Sequence, residues 1–334
     1  MTPAEGPTDD LPVVAALLAA RRVTAICHEN PDADTIGAAI AVAIIAEQLG
    51  KEAEIVSVDP PAPAFGFLPR FDQIIRSPRL EPDVAVVCDA ASLARVGSIT
   101  SDAAEWLSRA TLINIDHHVT NDRFGDVNHV DADAAATCQV IAELLPRLGV
   151  RPDADVATAL LAGIVRDSHG FSDPGTSART LRSAADLVEA GGDLAAAHRM
   201  LVELPTATMA LWGKLLDAMV PAFDGRIIYT ILTKAMLDET DTRQHDADGL
   251  VEFMANAKGV DVALLLREVG PTTTRVSIRT NDRVDATRIA AAFGGGGHAS
   301  RAGCTMTAAC MDGLDLLLPA CERELAGLDA RRGT

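Results

Sequence analysis

Aromatic side chains make up only 3% of the 334 residues, which argues against an extended base-stacking platform for single-stranded nucleic acid. Basic charge is also short. Lysine and arginine number 29 against 47 acids, a formal net charge of −18. Such a surface repels long polyanions and argues against a general DNA- or RNA-coating role, so any phosphate handled here must meet a local cation. Cysteine is sparse as well, with six residues and no CxxC pair. Neither a disulfide framework nor a zinc knuckle is indicated, and Cys27 and Cys88, inside apolar runs, read as core thiols. No stretch offers roughly 18 uninterrupted apolar residues, the length of a membrane span. The segment Met1 to Asp10 is acidic and contains proline, unlike a basic, apolar leader, and the expectation is a soluble, cytoplasmic protein without membrane partners.

What is present is apolar and rhythmic. Hydrophobic residues make up 48% of a chain about twice the usual domain length, so two domains with substantial cores are expected. Short Val/Ile/Leu runs alternate with longer alanine-rich helical patterns, the rhythm of α/β units around buried parallel strands. Strands are predicted over Val23 to Cys27, Glu54 to Val58, Asp83 to Cys88 and Thr111 to Ile115. Helices are predicted from Thr35 to about Leu49, Ala134 to Leu148, Asp155 to Val165 and Ser177 to Glu189. A helical segment over 194–218, interrupted at Pro205, reads as a connector. Beyond it, β-branched runs at Arg226 to Leu232, Val262 to Glu268 and Arg275 to Thr280 read as strands of a second domain.

Acids and imidazoles recur where the first-domain strands end. The stretch "HENPDADTIG" follows the first, Asp89 the third and Asp116-His117-His118 the fourth, while a later helix delivers Asp167. Sites in open α/β sheets form outside the carboxyl ends of strands, which makes these ends a constellation. His28, Asp32, Asp34, Asp89, His117 and Asp167 supply four carboxylates and two imidazoles, suited to two divalent cations. One carboxylate can bridge two ions held roughly 3.5 to 4 Å apart and so clamp the attacking and leaving oxygens of a phosphoryl transfer. The tight turn stiffened by Pro31 presents His28 and Asp32 to one ion and Asp34 to the other. Singly, an Asp-x-Asp after a strand reads equally as a helix cap and Asp89 as a loop acid; it is their conjunction that points to metal.

With those residues in place, the sequence resembles a known family. "HENPDADTIGAA", "VVCDAAS", "NIDHHVTND" and the acid of "VRDSHGF" are similar to the four motifs of the DHH phosphoesterases, and "AAFGGGGHASRAG" resembles the glycine-rich signature of the companion DHHA1 domain. The motifs occur in family order over about residues 12 to 325. The resemblance implies an α/β protein with a DHH catalytic domain over 1–193, whose mainly parallel sheet is flanked by helices. A helical connector over 194–218 and a smaller α/β DHHA1 substrate domain over 219–334 follow, with the active site in the cleft between domains. It implies two divalent cations, manganese first, with magnesium or cobalt as substitutes. His28, Asp32 and Asp89 fall to one ion, and Asp34, Asp89, His117 and Asp167 to the other, with Asp89 bridging. Asp116 takes the role of a carboxylate orienting an imidazole. His118 contacts the scissile phosphate or protonates the leaving oxygen, with a hydrogen-bonded strut as the competing reading. The sequence departs from the family at Ser168-His169, where a Thr-Gly-like pair is common, which leaves Asp167 as a ligand and bears on the neighbouring pocket.

The substrate end is less specific. Four glycines before His298 suit a flexible linker on their own. In the light of the family signature, Gly295, Gly296 and Gly297 read as backbone that approaches an anion, with His298 and Arg301 beside it. Arg279 resembles a family arginine that grips phosphate, and Arg95 is a candidate contact from the first domain. The implied substrates are short nucleotides, as in the nanoRNase and pAp phosphatase branch: pAp, pApA, di- to short oligoribonucleotides and cyclic di-AMP, hydrolysed by two-metal-activated water. Long nucleic acid is not expected, and a homodimer is. Inorganic pyro- or polyphosphate hydrolysis and non-catalytic nucleotide sensing are the alternatives.

Overall fold

A computed structural model describes residues 11–281 and 283–332, with side chains through 327. The acidic segment Met1 to Asp10 lies outside the described residues. The chain divides into two compact units, Met1–Glu203 and Leu204–Thr334.

In the first unit, helix α1 (Pro12–Ala19) leads into β1 (Arg22–Ile26), α2 (Ala33–Gln48), β2 (Glu52–Val56) and β3 (Val84–Cys88). Two single turns, α3 (Ile99–Asp102) and α4 (Ala104–Leu107), precede β4 (Thr111–Asp116) and β5 (Val127–Val130). Four helices close the unit: α5 (Thr137–Leu148), α6 (Ala154–Asp167), α7 (Ala178–Glu189) and α8 (Leu194–Val202). The strands pair in the order β2-β1-β3-β4-β5, all parallel. Every residue of β3 is buried, as an apolar strand covered on both faces requires. Consecutive β1 and β2 leave to one side and β3 to the other, so the sheet has its switch point between β1 and β3, where a crevice opens at the strand ends.

Helix α2 has no polar face from Ala33 to Ala46, and all fourteen of those residues are buried. It lies against α6 at very short range. A Cβ on Gly37 would stand 2.3 Å from the Ala159 carbonyl oxygen. That approach sets the start of α2, with Asp34, against the last turns of α6, with Asp167.

The second unit holds α9 (Thr206–Asp217), β6 (Val220–Ala222), β7 (Ile227–Leu232), α10 (Lys234–Thr240), α11 (Leu250–Ala255), β8 (Val262–Gly270) and β9 (Thr273–Thr280). It ends with α12 (Ala286–Ala291), β10 (Gly296–His298), β11 (Arg301–Met306) and α13 (Cys310–Arg332). Its sheet runs β10-β11-β9-β8-β7-β6, with β7 and β8 parallel and the other pairs antiparallel. Val276 and Ile278 of β9 and Ala302, Cys304 and Met306 of β11 face a core closed by Leu314, Leu317 and Cys321 of α13.

One expectation takes a different form. The helical segment 194–218 is divided between the units, α8 packing on α6 in the first and α9 on β7 and α10 in the second. Pro205, which has no amide hydrogen to give, separates the two helices. Within the glycine-rich stretch, Gly296–His298 is strand β10, hydrogen-bonded to β11. The six cysteines are free thiols, five of them buried. Among the described residues no helix is long and apolar enough to cross a membrane.

Candidate active site

Beyond β1 the chain turns sharply through His28 to Asp32. Thr35 Oγ1 receives the His28 amide at 3.2 Å and donates to the Cys88 carbonyl at 2.8 Å, which ties this turn to the end of β3. Asp32 is the N-cap of α2, its Oδ1 accepting from the amides of Asp34 and Thr35. The oxygen that caps the helix, Oδ1, is also the one that faces His28. His28 Nδ1 lies 2.7 Å from the Glu29 carbonyl oxygen. A proton on Nδ1 fixes the neutral ring with Nε2 as the free donor atom. That atom faces Asp89 Oδ2 at 3.4 Å and Asp32 Oδ1 at 3.9 Å.

Asp89, just past β3, holds a left-handed backbone with φ 62, a conformation Asp tolerates better than most residues and one common where a site fixes a side chain. It is 3% exposed. Its two oxygens look in different directions: Oδ2 to His28, and Oδ1 to His117 Nε2 at 3.5 Å. His117 Nδ1 reaches the Ala134 carbonyl at 3.3 Å, while Nε2 also faces Asp167 Oδ2 at 3.3 Å. Asp34, fully buried, joins His117 and Asp167 in one cluster, and His28, Asp32 and Asp89 form another. Asp89 is therefore placed between two ligand sets.

The electrostatics are those of a cation site. Burial, with Asp89 and Asp167 close by, raises the pKa of Asp32 and raises that of Asp34 far above the carboxylate range. Burial would lower His117, but Asp167, Asp34 and Asp89 outweigh it and push it up to about 10. Asp89 goes the other way: burial opposes ionisation, yet His28, His117 and His118 hold its pKa below normal. His117 Nε2 is buried and, among the described residues, makes no well-aligned hydrogen bond, although Asp167 Oδ2 lies 3.3 Å away. Carboxylates forced together around such an imidazole nitrogen are stabilised by divalent cations, so the donor set fits them.

His118 projects outward, with its side chain 45% exposed. Its Nδ1 lies 2.7 Å from Asp116 Oδ1, and that contact, ahead of the opposing burial, raises its pKa. Asn121, in the same motif, donates from Nδ2 to Asp116 Oδ2 at 2.5 Å and so fixes the carboxylate that fixes the ring. Arg95 is exposed and places NH2 3.5 Å from His28 Nδ1. Asp167 ends α6. Buried Ser168 then accepts the Phe171 amide at Oγ, and exposed His169 takes φ 49 in the turn that follows.

In the second unit, alternation along β9 puts Arg275, Ser277 and Arg279 on the face away from the core, and Arg301 of β11 stands directly across from Arg279. With Gly294 to His298 they line an open concavity of about 610 Å³. Arg279 is engaged by Glu252, its Nε donating to Oε1 at 2.7 Å. Two of the glycines are dictated by the hairpin. A Cβ on Gly295 would meet the Gly303 carbonyl oxygen at 2.2 Å, and Gly297 combines φ 147 with the Arg301 carbonyl oxygen at 2.4 Å. Gly296 has open space before it. Arg275 escaped the sequence reading, although the period of two that carries Arg279 also carries it.

The first turn of α5 escaped it too. The amides of Thr137 and Cys138 donate to Asp34 Oδ2 and Oδ1 at 2.7 and 2.9 Å, and Thr137 Oγ1 donates to Asp89 Oδ1 at 2.9 Å. Gly163 of α6 leaves the room: a Cβ there would lie 2.4 Å from Asp34 Oδ1. Nothing in "AAATCQ" signals these contacts, which span 48 to 104 residues.

Comparison with known proteins finds matches to both units. The DHH family N-terminal domain matches residues 22–164 and the DHHA1 domain residues 224–325. The bifunctional oligoribonuclease and PAP phosphatase NrnA of Thermus thermophilus is 36% identical over 293 residues, covering 86% of this chain and 84% of that one. The Bacillus subtilis protein of the same description is 27% identical over 282 residues, covering 84% and 87%. An exopolyphosphatase-related protein from Bacteroides fragilis has the same fold, with a TM-score of 0.83 at 21% identity over 95% of this chain and 96% of that one. The chain belongs to the DHH/DHHA1 phosphoesterase family, metal-dependent hydrolases of phosphoester bonds.

Proposed function

We propose that this phosphoesterase hydrolyses short nucleotides: di- to short oligoribonucleotides, pApA, the 3′-phosphate of pAp and, as a further candidate, cyclic di-AMP. Two divalent cations, manganese first, serve the centre. The observation that carries the reading is Asp89, whose two oxygens face His28 and His117 separately and give a bridging carboxylate a ligand set on each side. His28, Asp32 and Asp89 hold one cation, and Asp34, Asp89, His117 and Asp167 the other. Bound there, the ions supply charge neutralisation at phosphorus and a water acidic enough to attack near neutral pH. His118, exposed and held by Asp116, delivers a proton to the leaving oxygen. The relatives named for oligoribonuclease and PAP phosphatase activity support the choice of substrate.

In the second unit, Arg301, His298 and the open face at Gly296 hold the distal phosphate or nucleotide, and Arg279 joins them when a phosphate displaces Glu252. A chain with net charge −18 offers long RNA no further cationic track, which favours short substrates. A homodimer in the cytoplasm, which the resemblance implies, is part of the same proposal.

The test offers purified protein with manganese a panel of pAp, pApA, a diribonucleotide, cyclic di-AMP and pyrophosphate. Cleavage of pAp, pApA and the dinucleotide is expected. Cleavage of pyrophosphate alone contradicts the proposal, and tight nucleotide binding without turnover points to a sensor.

A further inference from the structure

Helix α5 begins without a cap of its own. Its N-cap is Ala136, which has no side-chain acceptor, and the amides of Thr137 and Cys138 at the first two helical positions would be orphaned. Asp34 takes both, one on each carboxylate oxygen. The positive end of the helix and two charge-assisted hydrogen bonds thus fix a carboxylate that arrives from α2. The same Thr137 turns its hydroxyl on Asp89, which arrives from β3. Thr137 and Asp34 are wholly buried and Asp89 nearly so.

We infer that Thr137 is a positioning residue that couples the two cation sites: its amide orients Asp34 in one, and its hydroxyl orients the bridging Asp89 shared by both. The hydroxyl donates to Oδ1, the oxygen that faces His117, and so fixes which oxygen is left for the His28 side. Without it, Asp89 can rotate about its terminal torsion, which is soft, and the two ligand sets no longer share a fixed bridge. Groups hydrogen-bonded behind metal ligands typically change metal affinity 10- to 100-fold when removed. No ion or substrate need touch Thr137 for this.

The inference rests on the assignment of Asp34 and Asp89 as cation ligands under the proposed function, and the experiment separates the two. Manganese binding to the full chain is titrated by calorimetry and by the electron paramagnetic resonance signal of the free ion, for the unaltered protein, Thr137→Val and Thr137→Ser. Valine keeps the amide and the branched shape but removes the hydroxyl, and serine keeps both donors. The expected result is two ions bound by the unaltered protein, manganese affinity about 10- to 100-fold weaker in Thr137→Val, and recovery to within a few-fold in Thr137→Ser. If Thr137→Val does not fold, Thr137→Ala takes its place with the same expectation. Binding by the hydroxyl-free variant equal to that of the unaltered chain overturns the inference and leaves the ligand assignment standing. Serine as weak as valine also overturns it, since the methyl group's packing would then be what matters. An unaltered chain that takes up no manganese removes the ligand assignment and the inference together.

Discussion

At the scale of single residues, each ligating imidazole is held by a second contact that decides what it presents. His28 presents Nε2 because Nδ1 is committed to the Glu29 carbonyl, and His117 presents Nε2 because Nδ1 meets Ala134. His118 is arranged the opposite way, with a carboxylate behind it and solvent in front. Asp116 raises the pKa of this imidazole, the direction that favours the protonated form a general acid needs. His118→Ala should therefore lower kcat on pApA by about 10²- to 10⁴-fold, the usual contribution of a positioned general acid. On a nitrophenyl phosphodiester, whose leaving group needs no proton, the loss should be far smaller. Equal losses on both substrates would assign His118 to phosphate contact or to holding the site together.

At the scale of elements, the site exists because three strand ends, one helix start and one helix end converge, and glycine controls how closely. Gly163 faces Asp34 Oδ1 and the Cys138 sulfur, leaving no room for a methyl group. Gly163→Ala should destabilise the fold by about 1 to 3 kcal/mol, the usual cost of overfilling a packed interior. It should also weaken manganese binding, because the backbone of α6 and the carboxylate cannot both keep their places. Thermal unfolding with and without manganese measures both effects. A variant with unchanged melting and unchanged affinity would mean that α2 and α6 have slack.

These contacts also show where the sequence was readable. Three first-domain strand ends announced themselves, because an apolar run stopping at His28, Asp89 or Asp116 has few structural reasons to carry such residues. Short β5 and β6 gave no comparable run. β11 was hidden because its alternation passes through Gly303 and Thr305 and reads as part of the glycine-rich segment. Thr137 was hidden for another reason: its partners are 48 and 103 residues away, and a threonine at a helix start has an ordinary local explanation. Local pattern names the ligands, while tertiary approach names what holds them.

At the scale of the whole molecule, a chain of net charge −18 still keeps local clusters of positive charge. The β9 and β11 face is one of them, where Arg275, Arg279 and Arg301 share a concavity. Arg301 directly faces Arg279, a like-charge pairing across strands that costs stability unless an anion lies near. Glu252 answers part of that need, and a substrate phosphate would answer the rest. Arg301→Ala should raise KM for pApA roughly tenfold or more, the worth of a charged hydrogen bond, with manganese content unchanged. A small artificial phosphodiester without a distal nucleotide should be nearly unaffected. Loss of metal, or equal damage to both substrates, would make the glycine-rich hairpin a scaffold only.

Whether Asp89 bridges two cations is tested without reference to activity by diffraction at the manganese absorption edge. Crystals grown with manganese should give two anomalous peaks roughly 3.5 to 4 Å apart, one on the His28 side of Asp89 and one on the His117 side. A single peak, or peaks that do not flank Asp89, would contradict the account.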